Sequence, residues 1–421
     1  MTLAPTPPMG WNSWDCYGPS VTEAEVLANA RFMAERLKSF GWDTVVVDIQ
    51  WHEPTARGGG YNPDAPLHLD EFGRPQPAPN RFPSAVGGAG FAPLAEQVHA
   101  LGLRFGLHIM RGIPRLAVRR GLRIAETDYT AAQAADQSST CAWNSDNYGL
   151  DHDHPGARAY YDSLFAQFAA WGVDFVKADD MLYPFHEREI AAFCAAARGC
   201  GREMVLSLSP GRAMSLEYVG QLREHAQMWR VSDDLWDRWS DVRAQFDRLA
   251  MWAPLAEPGA WPDADMLPLG RIGIRAERGP DRVSRLTATE QRTLMTLWCV
   301  ARSPLMFGGD LPSTDEATLA LLTNPGVLAL LGESTGNRQV IREGDLAVWT
   351  ARRTDGPGRY VAVFNTGETP MEPTLEWASV GCAPVPADQV VDLWERKAAP
   401  VSADGLAVDL PPHGCRLLLV P

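Results

Sequence analysis

Residues 173–180 read VDFVKADD, a short apolar run that ends in charged side chains. Four further runs of this kind recur along the chain, at 44–48 (TVVVD), 104–108 (RFGLH), 204–207 (MVLS) and 228–231 (MWRV). Helical patterns lie between them, and strands that alternate with helices are typical of βα units with a parallel sheet. The chain is therefore predicted to belong to the α/β class.

The segment before the run at 44–48 is predicted to be an amphipathic helix. Thr22 followed by Glu25 forms a capping box at its start, and Gly41 stands where the helix should end. The residues expected on its buried face are Val26, Ala30, Met33 and Leu37.

Three more segments bring the count of strands to eight: residues 10–13, 260–266 and 303–307. Eight strands favour a closed (β/α)8 TIM barrel over an open sheet. Gly- and Pro-rich stretches at 57–83 and 278–282 are predicted to be loops inserted around this barrel.

The pattern changes after about Pro325. Residues 346–349, 360–364, 390–394 and 415–419 are short apolar segments separated by Gly, Pro and Asp, which indicates an antiparallel β domain. We predict a catalytic barrel over residues 1–328 and a C-terminal antiparallel β-sandwich over residues 329–421.

The composition of the chain argues against several classes of protein. A formal net charge of −14 argues against a nucleic-acid-binding protein, because such proteins need a basic surface. No segment approaches the ~20 apolar residues of a membrane span, and no basic leader precedes an apolar run. Seven scattered cysteines predict free thiols rather than a disulfide framework. We expect a cytoplasmic protein, with secretion after removal of a signal peptide as the open alternative.

Acidic side chains follow four of the predicted strands. They are Asp48, Asp179, Asp180, Asp233, Asp234, Asp263 and Asp265. One such Asp usually caps a helix, but the strand ends of a TIM barrel meet at one rim, where active sites lie. Two facing carboxylates at such a rim can hydrolyse a glycosidic bond, and a separation of roughly 5–5.5 Å gives retention of configuration.

Side-chain alternation separates the acids of the fourth strand. Lys177 and Asp179 are two residues apart and should point to the same side, so the ammonium should favour the ionised carboxylate. Asp180 should face away and support the site. The same reasoning does not choose between Asp233 and Asp234.

Six segments, taken in order, resemble glycoside hydrolase family 27, the α-galactosidase and α-N-acetylgalactosaminidase family. They are residues 8–14 (PMGWNSW), 81–83 (RFP), 102–106 (GLRFG), 171–177 (WGVDFVK), 229–234 (WRVSDD) and 259–267 (GAWPDADML). The resemblance implies a retaining mechanism, no cofactor or metal, and a small-molecule or oligosaccharide substrate with a terminal sugar. The resemblance is compatible with a homo-oligomer but does not establish the oligomeric state.

The same resemblance assigns roles to individual residues. It implies that Asp179 is the nucleophile and that Lys177 binds sugar hydroxyls. An Arg followed four positions later by an Asp implies that Arg230 contacts the site and that Asp234, with Asp233 as the fallback, is the acid/base. Trp14 is expected to line the sugar site, and Asp48 to bind the axial hydroxyl of galactose. Asp265 is also predicted to bind the substrate.

Three positions depart from the family pattern, and they bear on which sugar is bound. Ile49 replaces the second of two consecutive acids, which should weaken recognition at the O4 and O6 edge. His108 stands for a Tyr near the nucleophile and is expected to contact the nucleophile or a substrate hydroxyl, with a hydrogen-bonded core histidine as the open alternative. Ser209 stands where α-galactosidases have a Glu; Ser resembles the N-acetylgalactosaminidase version, but Arg212 does not fit it.

We therefore expect hydrolysis of a terminal α-galactose. The alternatives are the same mechanism on α-N-acetylgalactosamine, β-L-arabinopyranose or α-glucose, and a carbohydrate-binding protein without turnover. A metal-dependent hydrolase is the third alternative, although no metal-binding motif is visible. The polar and aromatic loop at 141–148 is a candidate wall of a subsite.

Overall fold

A computed structural model describes residues 2–399, 401–402 and 404–421 of the protein. Its first part is a curled sheet of eight parallel strands. They are β1 (Met9–Asn12), β2 (Thr44–Val47), β3 (Arg104–Met110), β4 (Phe175–Asp179), β5 (Val205–Leu208), β6 (Met228–Arg230), β7 (Trp261–Asp263) and β8 (Leu305–Phe307). All eight lie within two residues of the predicted segments, except where the prediction over 260–266 overran β7.

Neighbouring strands pair in the order β7-β6-β5-β4-β3-β2-β1-β8. The gap between β7 and β8 is closed just after β7, where the Leu267 amide donates to the Met306 carbonyl at 2.8 Å. The predicted closed (β/α)8 barrel is therefore confirmed.

Helices surround the barrel and connect its strands. They are α1 (Trp14–Tyr17), α2 (Glu23–Arg36), α3 (Ala92–Ala100), α4 (Arg115–Arg119), α5 (Ala131–Ala134), α6 (Pro155–Ala170), α7 (Glu187–Gly199), α8 (Val219–His225), α9 (Trp239–Trp252), α10 (Ala288–Ala301), α11 (Glu316–Leu322) and α12 (Pro325–Gly332). The capping box of Thr22 and Glu25 opens α2 as predicted. The predicted end of this helix is wrong, because α2 ends at Arg36 and Gly41 instead closes a following 3-10 turn with a positive φ of 97°.

The alternation of side chains along β4 determines which of them face the barrel interior. Phe175 packs inside the barrel with Val46 and Val205, whereas Val176 packs outward against the helices. Because side chains alternate along a strand, Lys177 and Asp179 follow Phe175 onto the interior side. This places both charged groups at the carboxyl-terminal mouth of the barrel.

The C-terminal part is an antiparallel β-sandwich. Its strands are β9 (Ser334–Glu343), β10 (Leu346–Arg353), β11 (Arg359–Asn365), β12 (Thr374–Glu376), β13 (Val391–Asp392), β14 (Lys397–Ala398), β15 (Gly405–Ala407) and β16 (Cys415–Val420). A six-stranded sheet has the order β9-β10-β11-β16-β13-β14, and β12 pairs with β15. The four predicted segments fall on β10, β11, β13 and β16. The division at residue 328/329 stays a prediction.

The two parts share one apolar core, since α9 and α10 pack on the six-stranded sheet. Phe246 of α9 meets Phe364 of β11 with ring centroids 5.1 Å apart. Polar contacts reinforce this interface: the Trp394 indole N–H donates to Thr296 Oγ1 at 2.8 Å, and His413 Nδ1 lies 2.7 Å from Glu290 Oε1.

The seven cysteines are free thiols, four of them buried. None of the described helices is both long and apolar enough to cross a membrane.

Candidate active site

A cavity of about 500 Å³ opens at the carboxyl-terminal ends of the barrel strands. Seven of the nine predicted site residues line it: Trp14, Asp48, Lys177, Asp179, Arg230, Asp234 and Asp265. The other two, His108 and Ser209, lie beneath its wall and are each 1% exposed. The ends of β2, β4, β6 and β7 thus bring their predicted charged side chains to one place, and Trp14 joins them from α1.

Asp179, at the end of β4, is held as an ionised carboxylate. His108 Nε2 lies 3.1 Å from Asp179 Oδ2, and the backbone N–H of Asp180 donates to Asp179 Oδ1 at 2.7 Å. Burial alone would raise the pKa of Asp179, but His108 first and then Lys177 outweigh it and hold that pKa well below its usual range. An ionised carboxylate only accepts hydrogen bonds, so His108 Nε2 must carry the proton.

The ammonium of Lys177 makes its closest contact with a different acid from the one we expected. Lys177 Nζ donates to Asp48 Oδ2 at 2.8 Å, and Asn12 Nδ2 donates to the same oxygen at 2.7 Å. Burial opposes ionisation of Asp48, but the charge of Lys177 prevails and lowers the pKa of this carboxyl. Lys177 stabilises Asp179 through space, whereas His108 supplies the direct hydrogen bond.

On the opposite side of the cavity, Arg230 is 4% exposed and holds two acids. Its Nη1 lies 2.8 Å from Asp265 Oδ1, and its Nη2 donates to Asp234 Oδ1 at 3.3 Å. Burial raises the pKa of Asp265, with Arg230 opposing and Asp234 and Asp263 adding to the rise. Arg230 therefore fixes the carboxyl group of Asp234 beside a buried acid.

Asp233 and Asp234 both line the cavity, but their surroundings differ. The side chain of Asp234 is 41% exposed and contacts Arg230, whereas that of Asp233 is 59% exposed and lies 3.9 Å from Arg212. Asp234 is the more enclosed of the two and is the one fixed by a buried cation.

Asp180, which was expected to face away from the site, lines the cavity beside Asp179. Its carboxylate lies 2.8 Å from Arg111 Nε, and Arg111 also lies 3.8 Å from Glu189. Burial raises the pKa of Asp180 to about 6, despite the opposing charge of Arg111. This network anchors the end of β4, where Asp179 is placed.

Three aromatic rings from separate segments form one wall of the cavity. Trp14 stacks on Tyr61 with centroids 5.6 Å apart and planes at 17°, and Tyr61 contacts Trp143 at the same centroid distance with planes at 42°. Trp143 belongs to the loop at 141–148, which was predicted as a subsite wall and does line the cavity. Flat aromatic faces of this kind suit the apolar faces of sugar rings.

Two residues that bear on substrate choice differ in their placement. Ile49 lines the cavity directly after Asp48 and is 1% exposed. Ser209, at the end of β5, does not reach the cavity wall, and its Oγ has no hydrogen-bond partner in the described part of the chain. The side chain of Ile49 therefore forms part of the cavity surface, while the Ser209 hydroxyl does not.

Sequence reasoning missed several residues of the cavity. Tyr61 lies in the Gly- and Pro-rich stretch at 57–83, where no periodic pattern marks its direction. Asp15 follows Trp14 in the short helix α1, and only acids that end apolar runs were considered. Its position next to the predicted Trp14 was the one available signal. Tyr183 and Met266 also line the cavity.

The carboxyl groups of this cavity can act as a nucleophile and as a general acid or base. One ionised acid, Asp179, is 14% exposed in a cavity whose far side carries a second acid, Asp234, which is 41% exposed. Within residues 2–399, 401–402 and 404–421, no three His, Cys, Asp or Glu side chains are grouped to hold a metal ion.

Comparison with known proteins identifies the family of the chain. The family model described as alpha galactosidase A matches residues 145–332, and the model of the alpha galactosidase C-terminal beta sandwich domain matches residues 343–420. Alpha-galactosidase 2 of Arabidopsis thaliana is 26% identical over 99% of this chain and 89% of its own length.

Two solved structures are more similar. A family 27 β-L-arabinopyranosidase from Geobacillus stearothermophilus is 51% identical, with a TM-score of 0.96 over 99% of this chain and 97% of that one. A Bacillus halodurans protein, provisionally assigned as an α-N-acetylgalactosaminidase, is 46% identical, with a TM-score of 0.87 over the same shares. The resemblance seen in the sequence is confirmed: the chain belongs to glycoside hydrolase family 27 and is a glycoside hydrolase.

Proposed function

We propose that the protein hydrolyses its substrate by double displacement with retention of configuration. Asp179 attacks the anomeric carbon, and Asp234 protonates the departing oxygen and then deprotonates the attacking water. The observation that carries this proposal is the contrast between the two acids. The side chain of Asp179 is 14% exposed and hydrogen-bonded as an anion, while that of Asp234 is 41% exposed at the open side of the cavity, where a leaving group departs.

We infer further that the preferred substrate is a terminal β-L-arabinopyranoside. This sugar has the ring and hydroxyl arrangement of α-D-galactose but carries hydrogen in place of the hydroxymethyl group on C5. Asp48 and Lys177 are available for the hydroxyls that the two sugars share. Ile49 presents a hydrocarbon surface where the family pattern has an acid, so an added hydroxymethyl group would find no acceptor there.

The size of the expected preference for the arabinopyranoside follows from the free-energy cost of an unpaired buried hydroxyl. That cost is about 1–3 kcal/mol, which corresponds to about 5- to 150-fold in kcat/KM. The similarity to the Geobacillus β-L-arabinopyranosidase supports the same choice of sugar. The α-galactoside, favoured by the sequence alone and by the Arabidopsis relative, is the second candidate.

The test compares initial rates on nitrophenyl β-L-arabinopyranoside and nitrophenyl α-D-galactoside. We expect kcat/KM to favour the arabinopyranoside in the wild type and to move toward the galactoside in Ile49→Asp. Val86→Asp, which adds the same charge at a 60% exposed position outside the cavity, should leave the preference unchanged. A wild type that favours the galactoside would overturn the proposed sugar.

Two further experiments test the mechanism separately from the choice of sugar. Asp179→Asn should lose turnover while still binding sugar, because the amide cannot attack the anomeric carbon. NMR of the first product released by the wild type should show the anomer of the substrate. Release of the opposite anomer, or normal turnover by Asp179→Asn, would overturn double displacement by this residue.

A further inference from the structure

A buried carboxyl group in the cavity has no role in the mechanism described above. Asp15, in α1, lines the cavity and is 2% exposed. Its Oδ2 has no hydrogen-bond partner among the described residues. A Cβ placed on Gly308, just after β8, would lie 2.1 Å from this oxygen, so the carboxyl packs against bare backbone.

The cations around Asp15 are bound to other acids. Lys177 contacts Asp48, and Arg230 contacts Asp265 and Asp234. An unpaired, buried carboxylate costs several kcal/mol, so a group in this position is far more stable in its neutral form.

Further charges face Asp15 from each neighbouring element. Burial is the largest cause of its raised pKa, followed by Asp265, Asp234 and Asp48, with Lys177 opposing. Two more groups, Cys16 and Arg282, also interact with Asp15. Arg282 is held by Asp237 at 2.6 Å. The net field around the carboxyl is negative and favours its protonated form.

We propose that Asp15 binds the substrate as a neutral carboxylic acid and donates its O–H to a substrate oxygen. This inference rests on the proposed function of the cavity. A protonated carboxyl is a hydrogen-bond donor, whereas the ionised acids around it only accept. Asp15 therefore supplies a donor on the α1 side of the cavity, away from the cations that serve Asp48 and Asp265.

The test uses Asp15→Asn and Asp15→Leu on whichever of the two nitrophenyl glycosides the wild type hydrolyses faster. Asn keeps a neutral donor, so KM should stay within about twofold, whereas Leu removes the donor and should raise KM about 5- to 150-fold. Calorimetric binding of free L-arabinose or galactose should follow the same order, and this readout does not depend on turnover. Asp310→Asn, a buried carboxyl that lies near α1 but does not line the cavity, is the matched control.

The pH profile gives an independent readout. A neutral Asp15 loses its proton as pH rises through its raised pKa, so calorimetric binding of the free sugar by the wild type should weaken over that pH range. Asp15→Asn cannot ionise and should keep its affinity for the free sugar to higher pH than the wild type does. If Asp15→Asn is as impaired in KM as Asp15→Leu, or if its affinity for the free sugar falls over the same pH range as that of the wild type, the carboxyl does not act as a neutral donor. Failure of the proposed sugar or mechanism would instead appear in the wild type or in Asp179→Asn.

Discussion

The contact between His108 and Asp179 is the residue-scale feature that most directly controls the proposed nucleophile. His108→Phe removes a hydrogen bond to a charged group, which stabilises by about 1.5–3 kcal/mol. We expect kcat/KM to fall about 10- to 150-fold. The pKa of Asp179 should rise, so the acid limb of the kcat/KM profile should move to higher pH.

His108→Tyr is the matched variant, because a phenol retains a donor and the family pattern has Tyr at this position. It should recover part of the lost activity and return the acid limb toward that of the wild type. An unchanged acid limb in His108→Phe would show that Asp179 is kept ionised by Lys177 and the backbone alone.

A second histidine, His52, is expected to affect stability rather than catalysis. It is 3% exposed, and burial, followed by the charges of Arg81 and His108, lowers its pKa to about 3. The unfolded chain takes up a proton near pH 6.5, while the folded protein does not. The free energy of unfolding should therefore fall as pH drops from about 6.5 toward 3, by at most about 1.4 kcal/mol per pH unit from this group.

Denaturant unfolding at several pH values, for the wild type and His52→Gln, measures this contribution. The variant should show the shallower loss of stability with falling pH. Equal slopes would mean that His52 is protonated in the folded protein, where its Nε2 lies 3.8 Å from Asp146.

At the scale of elements, the loop at 141–148 is expected to act on the leaving group. Trp143 is 40% exposed at the cavity mouth and contacts Tyr61, with the two ring planes tilted by 42°. Loss of an aromatic contact of about 0.5–1.5 kcal/mol should raise KM about 2- to 12-fold for a nitrophenyl glycoside in Trp143→Ala. Binding of the free monosaccharide should change less, since Trp14, which stacks on the same Tyr61, remains.

Met251→Ala is the control for loss of an exposed apolar side chain elsewhere, because Met251 is 49% exposed on α9 and outside the cavity. If Trp143→Ala weakened the free sugar and the nitrophenyl glycoside equally, the loop would belong to the sugar site itself.

The strands were predictable from sequence because their signal is local. Each apolar run and its terminal acid lie within a few residues, and the closed barrel brings strand ends together in any such chain. Tyr61 and Asp15 were not predictable in this way, since an irregular loop and a four-residue helix carry no periodicity. The partner of Lys177 was also missed: alternation gives the side of a strand, but Asp48 lies 129 residues away and its distance is set by the fold.

At the scale of the whole molecule, one buried apolar cluster extends across the predicted domain boundary, while the sandwich also has a buried cluster of its own. The change from βα units to short strands marks a change of architecture, but it contains no information about what α9 and α10 pack against. In the structure, Leu294 and Phe246 of the barrel belong to the same buried cluster as Phe364 and Leu417 of the sandwich. The two parts therefore match separate family models, although some of their apolar side chains are buried in one shared cluster.

This shared core predicts that barrel and sandwich unfold in one cooperative transition. Far-UV circular dichroism, tryptophan fluorescence and calorimetry should give the same midpoint for the wild type. Phe364→Ala opens a cavity against Phe246 and should cost about 3–5 kcal/mol, which for a chain of this length lowers Tm by about 3–5 °C. Phe40→Ala, at a 37% exposed position on the barrel surface, should change Tm little. Two separate transitions, of which Phe364→Ala moved only one, would show that the sandwich folds independently and that its contacts with α9 and α10 do not couple the two parts.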